Sequence, residues 1–143
     1  MNGTDFGTIR TNIKTLIDTV PDLNAGSKHP VSVIGNVPTY YIRTVGFETT
    51  QSSTHTATRH LVWEIVVLYD EPTTEAAMSV VDTLLQAIWA KLAGRSLDLS
   101  KSVLQILPSS LSSTGEEIIE IGGRFYIAYP IKFTTKVMDN VRY

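Results

Sequence analysis

The sequence predicts an α+β domain, a mainly antiparallel sheet packed with two helices in the order α-β-β-β-α-β-β-β. Three observations carry this reading. Two segments place apolar residues at helical spacing. Several others alternate between two faces or are rich in β-branched and aromatic residues. Two pairs of these strand segments read as hairpins. A length of 143 residues is about one average domain. No internal repeat or composition break divides the chain, so residues 1–143 read as one domain.

The first helix carries apolar residues from Phe6 to Val20. Phe6, Ile9, Ile13, Leu16, Ile17 and Val20 fall within an apolar stripe of about 100°, which leaves Arg10, Asn12, Lys14 and Asp18 on the polar face. Thr4 is the expected N-cap, with Asp5 favourable in the first turn, Gly7 slightly weakening it and Pro21 stopping the helix. Residues 21–30 read as a loop, residues 31–34 as a short strand, and Gly35, Asn36 and Pro38 as a turn. Residues 39–45, rich in tyrosine and β-branched side chains, read as the next strand.

The stretch that follows is unusual. From Glu48 to Arg59 the only apolar side chain is Ala57. Such a segment cannot bury itself, so it is expected to project into solvent or to lie on a partner. It reads as the extended tip of a hairpin whose arms are residues 39–45 and 59–69. In the second arm Leu61, Trp63, Ile65, Val67 and Tyr69 share one face, and Val62, Glu64, Val66 and Leu68 the other. Both faces are largely apolar, which predicts a central strand covered on both sides.

Asp70–Pro72 closes that strand, and Thr73 or Thr74 can cap the second helix. Ala77, Val81, Leu84, Leu85, Ile88 and Leu92 form its core stripe. Met78 and Trp89 lie on one flank and are read as widening that core, with an exposed contact patch as the other reading. Gly94 is the expected C-terminal glycine, and Lys91 suits the last turn. Residues 102–107 read as a strand ended by Pro108, and residues 109–115 as a second polar loop. Residues 116–121 and 124–137 form a hairpin through Gly122-Gly123. Phe125, Ile127, Tyr129, Ile131, Phe133 and Val137 share one face of its long arm, opposite Arg124, Tyr126, Ala128, Lys132 and Thr134. Pro130 cannot donate to a ladder and so predicts an edge or a bulge there, and the tail from Met138 to Tyr143 has no pattern.

Composition narrows the function. The chain has no cysteine, which removes disulfides and cysteine-bound zinc. No apolar run reaches the roughly 20 residues that span a bilayer. Residues 1–10 carry no basic segment followed by an apolar stretch, which predicts no signal peptide. A net charge of −2 and a pI of about 5.9, with the basic residues scattered, argue against direct nucleic-acid binding. Charged residues are only 18% of the chain and serine plus threonine number 30, a balance compatible with extensive protein–protein contact.

Motifs for chemistry are lacking. On a strand His60 and Glu64 stand about 13 Å apart, too far for one metal, and His29 and His55 lie in loops. There is no nucleophile elbow and no phosphate loop, and Gly122-Gly123 joins two strands rather than a strand and a helix. Glu116, Glu117 and Glu120 read as charges on a solvated edge. The expectation is a protein with no catalytic residues, no cofactor and no metal.

The whole run of elements resembles one family. The amphipathic helix ends at Pro21, and a loop leads to Val31-Ser-Val-Ile-Gly-Asn-Val-Pro38. A polar-tipped hairpin follows, with second arm His60-Leu-Val-Trp-Glu-Ile-Val-Val-Leu-Tyr69, then the helix from Thr74 to Leu92. The chain finishes with Gly123-Arg-Phe-Tyr-Ile-Ala-Tyr-Pro-Ile-Lys-Phe133. Element order, length and terminal strand pattern together look like the tail terminator, or tail completion, proteins of long-tailed bacteriophages. The resemblance rests on no diagnostic motif. It implies a virion structural protein, made in the host bacterial cytoplasm. Such a protein forms a homo-oligomeric ring, commonly six-fold, that caps the tail tube, halts its polymerisation and joins it to the head connector or neck. In contractile tails the sheath is a further partner. A head–tail connector or neck protein is the neighbouring reading in the same class.

The expected partner contact is the polar segment, through Glu48, Thr49, Thr50, Gln51, Ser52, Ser53, Thr54, His55, Thr56 and Thr58. Two readings from other classes compete. One is a small α+β ligand-binding or enzymatic module, for which His60, Glu64 and Tyr69 are the available groups. The other is an adaptor that captures another protein by strand addition.

Overall fold

A computed structural model of the chain describes residues 5–32, 34–51, 56–93 and 105–140, with the backbone path alone described at 105–110 and 138–140. Its elements are α1 (Phe6–Ile17), β1 (Thr39–Gln51), β2 (Thr56–Tyr69), α2 (Glu75–Leu92), β3 (Gln105–Ser112), β4 (Glu117–Ile121) and β5 (Arg124–Asn140). The strands make one antiparallel sheet in the order β1-β2-β5-β3, and β4 also pairs with β5. The α+β class and the antiparallel sheet are therefore as the sequence predicts. One element differs. Residues 31, 32 and 34 are in no strand, and the described part of the loop forms a parallel β-bridge with the sheet from Ser27 to Tyr41. Residues 24–27 already occupy that stretch of the β1 edge, through Asn24 N–H to Pro38 O (2.9 Å) and Ser27 N–H to Tyr40 O (3.0 Å).

Both helices lie on one face. The apolar stripe of α1 (Ile9, Ile13, Ile17) and that of α2 (Leu84, Ile88, Leu92) close over Trp63, Ile65, Val67, Phe133 and Val137. Asp5 caps α1, its carboxylate accepting from Thr8 N–H at 2.8 Å, and the carboxyl is held below its usual range chiefly by that backbone bond. Thr4, the expected cap, lies outside the described residues. Thr74 caps α2 through Ala77 N–H at 3.1 Å, while Gly94 also lies outside them. Among the described residues the other sheet face is covered at one end, where Val66, Leu68, Tyr126 and Ala128 pack with Ile34, Val37, Tyr41, Ile119 and Ile121. The prediction that β2 is central and covered on both sides thus holds for residues 66–68, whereas Val62 and Glu64 are half-buried.

Three sequence expectations are corrected by the packing. Arg10 is buried rather than on a polar face. Its guanidinium lies 5.2 Å from the Trp63 ring and donates to Lys28 O (2.6 Å), Ile42 O (2.9 Å) and the Thr44 hydroxyl. Pro130 does not mark an edge, because β5 has β2 on one side and β3 and β4 on the other. β4 pairs residues 124–128 and β3 pairs residues 132–136, so Pro130 sits in the gap between them. Its carbonyl accepts there from the Ser113 hydroxyl, and its missing N–H faces the same gap. Finally, β3 does not stop at Pro108 but runs to Ser112, with its register interrupted between Leu107 and Ser112; residues 102–104 lie outside the described residues. A proline is accommodated because the ladder is irregular at that point.

The Gly122-Gly123 turn is as predicted. Both glycines have positive φ (61° and 80°), the geometry of a two-residue turn that follows the twist of its strands.

Candidate functional site: the β1–β2 hairpin and its open edge

The hairpin grows directly from the sequence. Threonine, tyrosine and isoleucine favour extended backbone, and β1 pairs with β2 from Thr39–Leu68 out to Gln51–Ala57. One extra residue breaks the regularity between Thr44 and Gly46. This bulge changes the parity of β1. Before it, Tyr40, Ile42 and Thr44 oppose Val67, Ile65 and Trp63 on the helix side; after it, Phe47 opposes Leu61 on that same side. Without the bulge Phe47 would point to the other face.

The structure divides the ten predicted contact residues. Glu48, Thr49, Thr50 and Gln51 are exposed at the end of β1. Ser52, Ser53, Thr54 and His55 lie outside the described residues. Thr56 is half-buried, and Thr58 is only 6% exposed, as is its neighbour Ala57. The expectation that the whole stretch cannot bury itself is therefore corrected at Ala57 and Thr58. The reason is β5, which extends to Asn140 and pairs Met138 with Thr58 and Asn140 with Thr56. Backbone pairing is indifferent to side-chain polarity, so a threonine-rich segment with β propensity becomes an inner strand once a third strand reaches it. The tail that lacked a sequence pattern supplies that strand as far as residue 140; residues 141–143 lie outside the description.

The two faces of the hairpin differ. On the helix side Phe47 is 66% exposed and meets Phe6 edge-on at 5.9 Å, and Arg59 lies 6.0 Å from the Phe6 ring. On the far side, the register aligns Glu48, His60 and Lys136 in one row and Arg43, Glu64 and Lys132 in another. Arg43 and Glu64 form an ion pair at 3.3 Å.

The alternative site is not assembled. His60 and Glu64 stand on the far face, whereas Tyr69 is on the helix side, where its hydroxyl donates to Glu116 at 2.7 Å. Burial and the neighbouring Glu116 carboxylate push the Tyr69 hydroxyl well above its usual range. Among the described residues no cluster of three or more histidine, aspartate or glutamate side chains could hold a metal ion. No described helix is long and apolar enough to cross a membrane.

Further exposed apolar groups escape a reading by periodicity. Met78 and Trp89 are 53% and 52% exposed, so they form surface rather than widen the core. Trp89 instead lines an open groove with Leu85, Leu111, Tyr129 and Ile131. Ile118 and Phe125, 70% and 68% exposed, stand on the β4–β5 hairpin. The alternation of Phe125 with Ile127 signalled a core position, but only Ile127 packs against the helix-side core.

The outer edge of β1 is the most distinctive feature of the region. At Tyr40 and Ile42 it is closed: Ser27 N–H donates to Tyr40 O, and Ile42 N–H donates to Ser27 O at 3.0 Å. Arg10 occupies the Ile42 carbonyl. Beyond Thr44 no strand among the described residues pairs with that edge. In an antiparallel ladder, residues alternate between facing the partner strand and facing away. The bonds at Tyr40 and Ile42 fix that alternation, so past the bulge the backbone N–H and C=O of Phe47 and Thr49 point outward.

Comparison with known proteins adds no family. No protein-family model matches the chain, and a search of curated proteins gives no match.

Proposed function

We propose that the protein is a virion structural component that caps the tail tube of a long-tailed bacteriophage, stops its polymerisation and joins it to the head connector or neck. The observation that carries this reading is the order of elements over nearly the whole chain: helix, long polar-tipped hairpin, helix, terminal hairpin. That order is the one on which the resemblance to tail terminator proteins rests. The hairpin supports it further, since among the described residues it offers exposed Glu48–Gln51 and a sheet edge with no strand beside it. In this role the chain assembles with copies of itself into a ring, six-fold by the family pattern. It meets the tube protein on one face and the connector on the other, and the sheath in contractile tails. The role is mechanical and calls for no catalysis or cofactor.

The test is a tube-capping assay. Purified tail-tube protein polymerises alone or with this chain, and tube lengths are measured in negative stain. Capping predicts tubes that stop growing and carry a ring of extra density at one end. Unchanged length and bare ends would overturn the reading. Density confined to isolated connectors would move the protein to the neck.

A further inference from the structure

We propose that copies of this chain join by continuing the sheet, the open outer edge of β1 in one copy pairing with the outer edge of β3 in the next. This deepens the reading above, on which closure into a ring rests; the pairing itself stands on the fold.

Three geometric facts support it. First, the path β1-β2-β5-β3 is antiparallel throughout and has four strands, so β1 and β3 run in opposite directions. A neighbour in the same orientation therefore places its β1 antiparallel to β3, and the alternation carries on across the boundary.

Second, among the described residues no strand pairs with either edge over the same height of the sheet. The register runs Phe47–Leu61–Thr135–Ile106 in one row and Glu48–His60–Lys136–Gln105 in the next. The part of β1 that Ser27 and Arg10 close lies further along, beside Val67 and Ile65.

Third, the hydrogen-bonding phases match. The N–H and C=O of Phe47 point outward from β1. The carbonyl of Pro130 points to the β3 side of β5, as the bond from Ser113 fixes, so the same alternation gives Lys136 and Thr134 the bonded pairs with Gln105 and Leu107. Ile106 between them turns its N–H and C=O outward. With no shift along the strands, Phe47 of one copy and Ile106 of the next form a hydrogen-bonded pair, and Glu48 and Gln105 a non-hydrogen-bonded pair.

Past its bulge the β1 edge is only lightly protected, with Glu48 its one charge. Residues 45–51 contain no lysine or proline, and Phe47 is two-thirds exposed beside them. Pairing two β1 edges by a two-fold axis would satisfy one edge and leave β3 open in both copies. Head-to-tail pairing satisfies both edges in every copy and is the arrangement that closes into a ring.

The natural chain has no cysteine, so crosslinking has a clean background. A non-hydrogen-bonded antiparallel pair has its Cα atoms about 4.5 Å apart, within the range a disulfide accepts. The double variant Glu48→Cys with Gln105→Cys is expected to give a ladder of multimers under mild oxidation, and an equimolar mix of the two single variants to give dimers. Neither single variant alone should crosslink beyond background. Crosslinking of E48C alone would instead show like edges meeting and overturn the proposal. So would rings, seen by negative stain, in which the double variant gives no ladder; that result would leave the capping reading intact. A ladder from a protein that never caps tubes would uphold the edge pairing and sink the capping reading.

A second variant guards against loss of folding. Thr49→Pro removes an outward N–H without touching the bonds to β2. It is expected to raise the concentration for half-assembly about tenfold with an unchanged circular dichroism spectrum. Unaltered assembly of T49P would count against the pairing even if the crosslinks were ambiguous.

Discussion

The two halves of β1 have the same partner strand and opposite fates at their outer edge. From Thr39 to Thr44 the edge is closed by the loop around Ser27 and by the buried Arg10. Past the bulge, from Gly46 onward, β1 keeps pairing with β2 but has no strand outside it among the described residues. The difference does not come from strand propensity, since β-branched and aromatic residues occur in both halves. It comes from what surrounding residues do with the edge. Gly26 passes so close to the Tyr40 ring that an added Cβ would lie 2.3 Å from its carbons. Asp18 receives the Tyr40 hydroxyl (2.7 Å) and Gly26 N–H (3.2 Å), and pairs with Lys14 at 2.5 Å. One half is thus sealed by a dedicated set of side chains, and the other is left with its backbone groups facing out.

The largest effect should come from the clamp itself. Arg10→Met leaves the Ile42 and Lys28 carbonyls without their donor and is expected to cost about 2–3 kcal/mol in urea unfolding. A loss below about 0.5 kcal/mol, the range of an ordinary surface change, would mean that Arg10 does not close the edge. Next is Gly26→Ala, where the buried Tyr40 ring must shift, with an expected loss of about 1–3 kcal/mol.

The third prediction concerns acid. Burial alone would raise the Asp18 carboxyl, but the hydrogen bonds from Lys14, Tyr40 and Gly26 and the Lys14 charge together hold it below its ordinary value of 3.8. A depressed carboxylate stabilises the fold above its unfolded-state pKa, and that contribution is lost as pH falls through the folded one. Wild-type stability should therefore drop as pH is lowered below about 4, and Asp18→Asn should be less stable at neutral pH with a shallower acid slope. An identical slope in D18N would remove Asp18 from the seal.

The smallest effect on folding belongs to the open half. Phe47→Ser is expected to change stability by no more than about 0.5 kcal/mol, because two-thirds of the side chain already meets water. Its consequence should appear in self-association instead. A large loss of stability would show that Phe47 belongs to the core of the isolated chain.

Much of this fold was legible because side-chain period reports burial. The alternation of Leu61, Trp63, Ile65, Val67 and Tyr69 marked the strand at the centre, the stripes of Ile9, Ile13 and Ile17 and of Leu84, Ile88 and Leu92 marked the helix faces, and the paired glycines marked their turn. What was missed depends on partners distant in sequence. Arg10 looks like surface until the strand carbonyl of Ile42, 32 residues away, is placed against it. Thr58 looks like loop until Met138 arrives beside it. Pro130 reads as an edge or a bulge because nothing in its own neighbourhood tells that β3 and β4 stop on either side of it. Of the contact segment, the polarity of Glu48–Gln51 was readable as exposure. The open edge was not, since it depends on where the loop of residues 24–28 ends.

Amide exchange along β1 tests the account most directly. In dilute protein the Ile42 amide, bonded to Ser27, should be protected, while the Phe47 and Thr49 amides exchange almost freely. In the assembled ring those two should slow by at least about tenfold while Ile42 changes little. Phe47 and Thr49 amides already as protected as Ile42 in the dilute chain, or still fast in the ring, would contradict it.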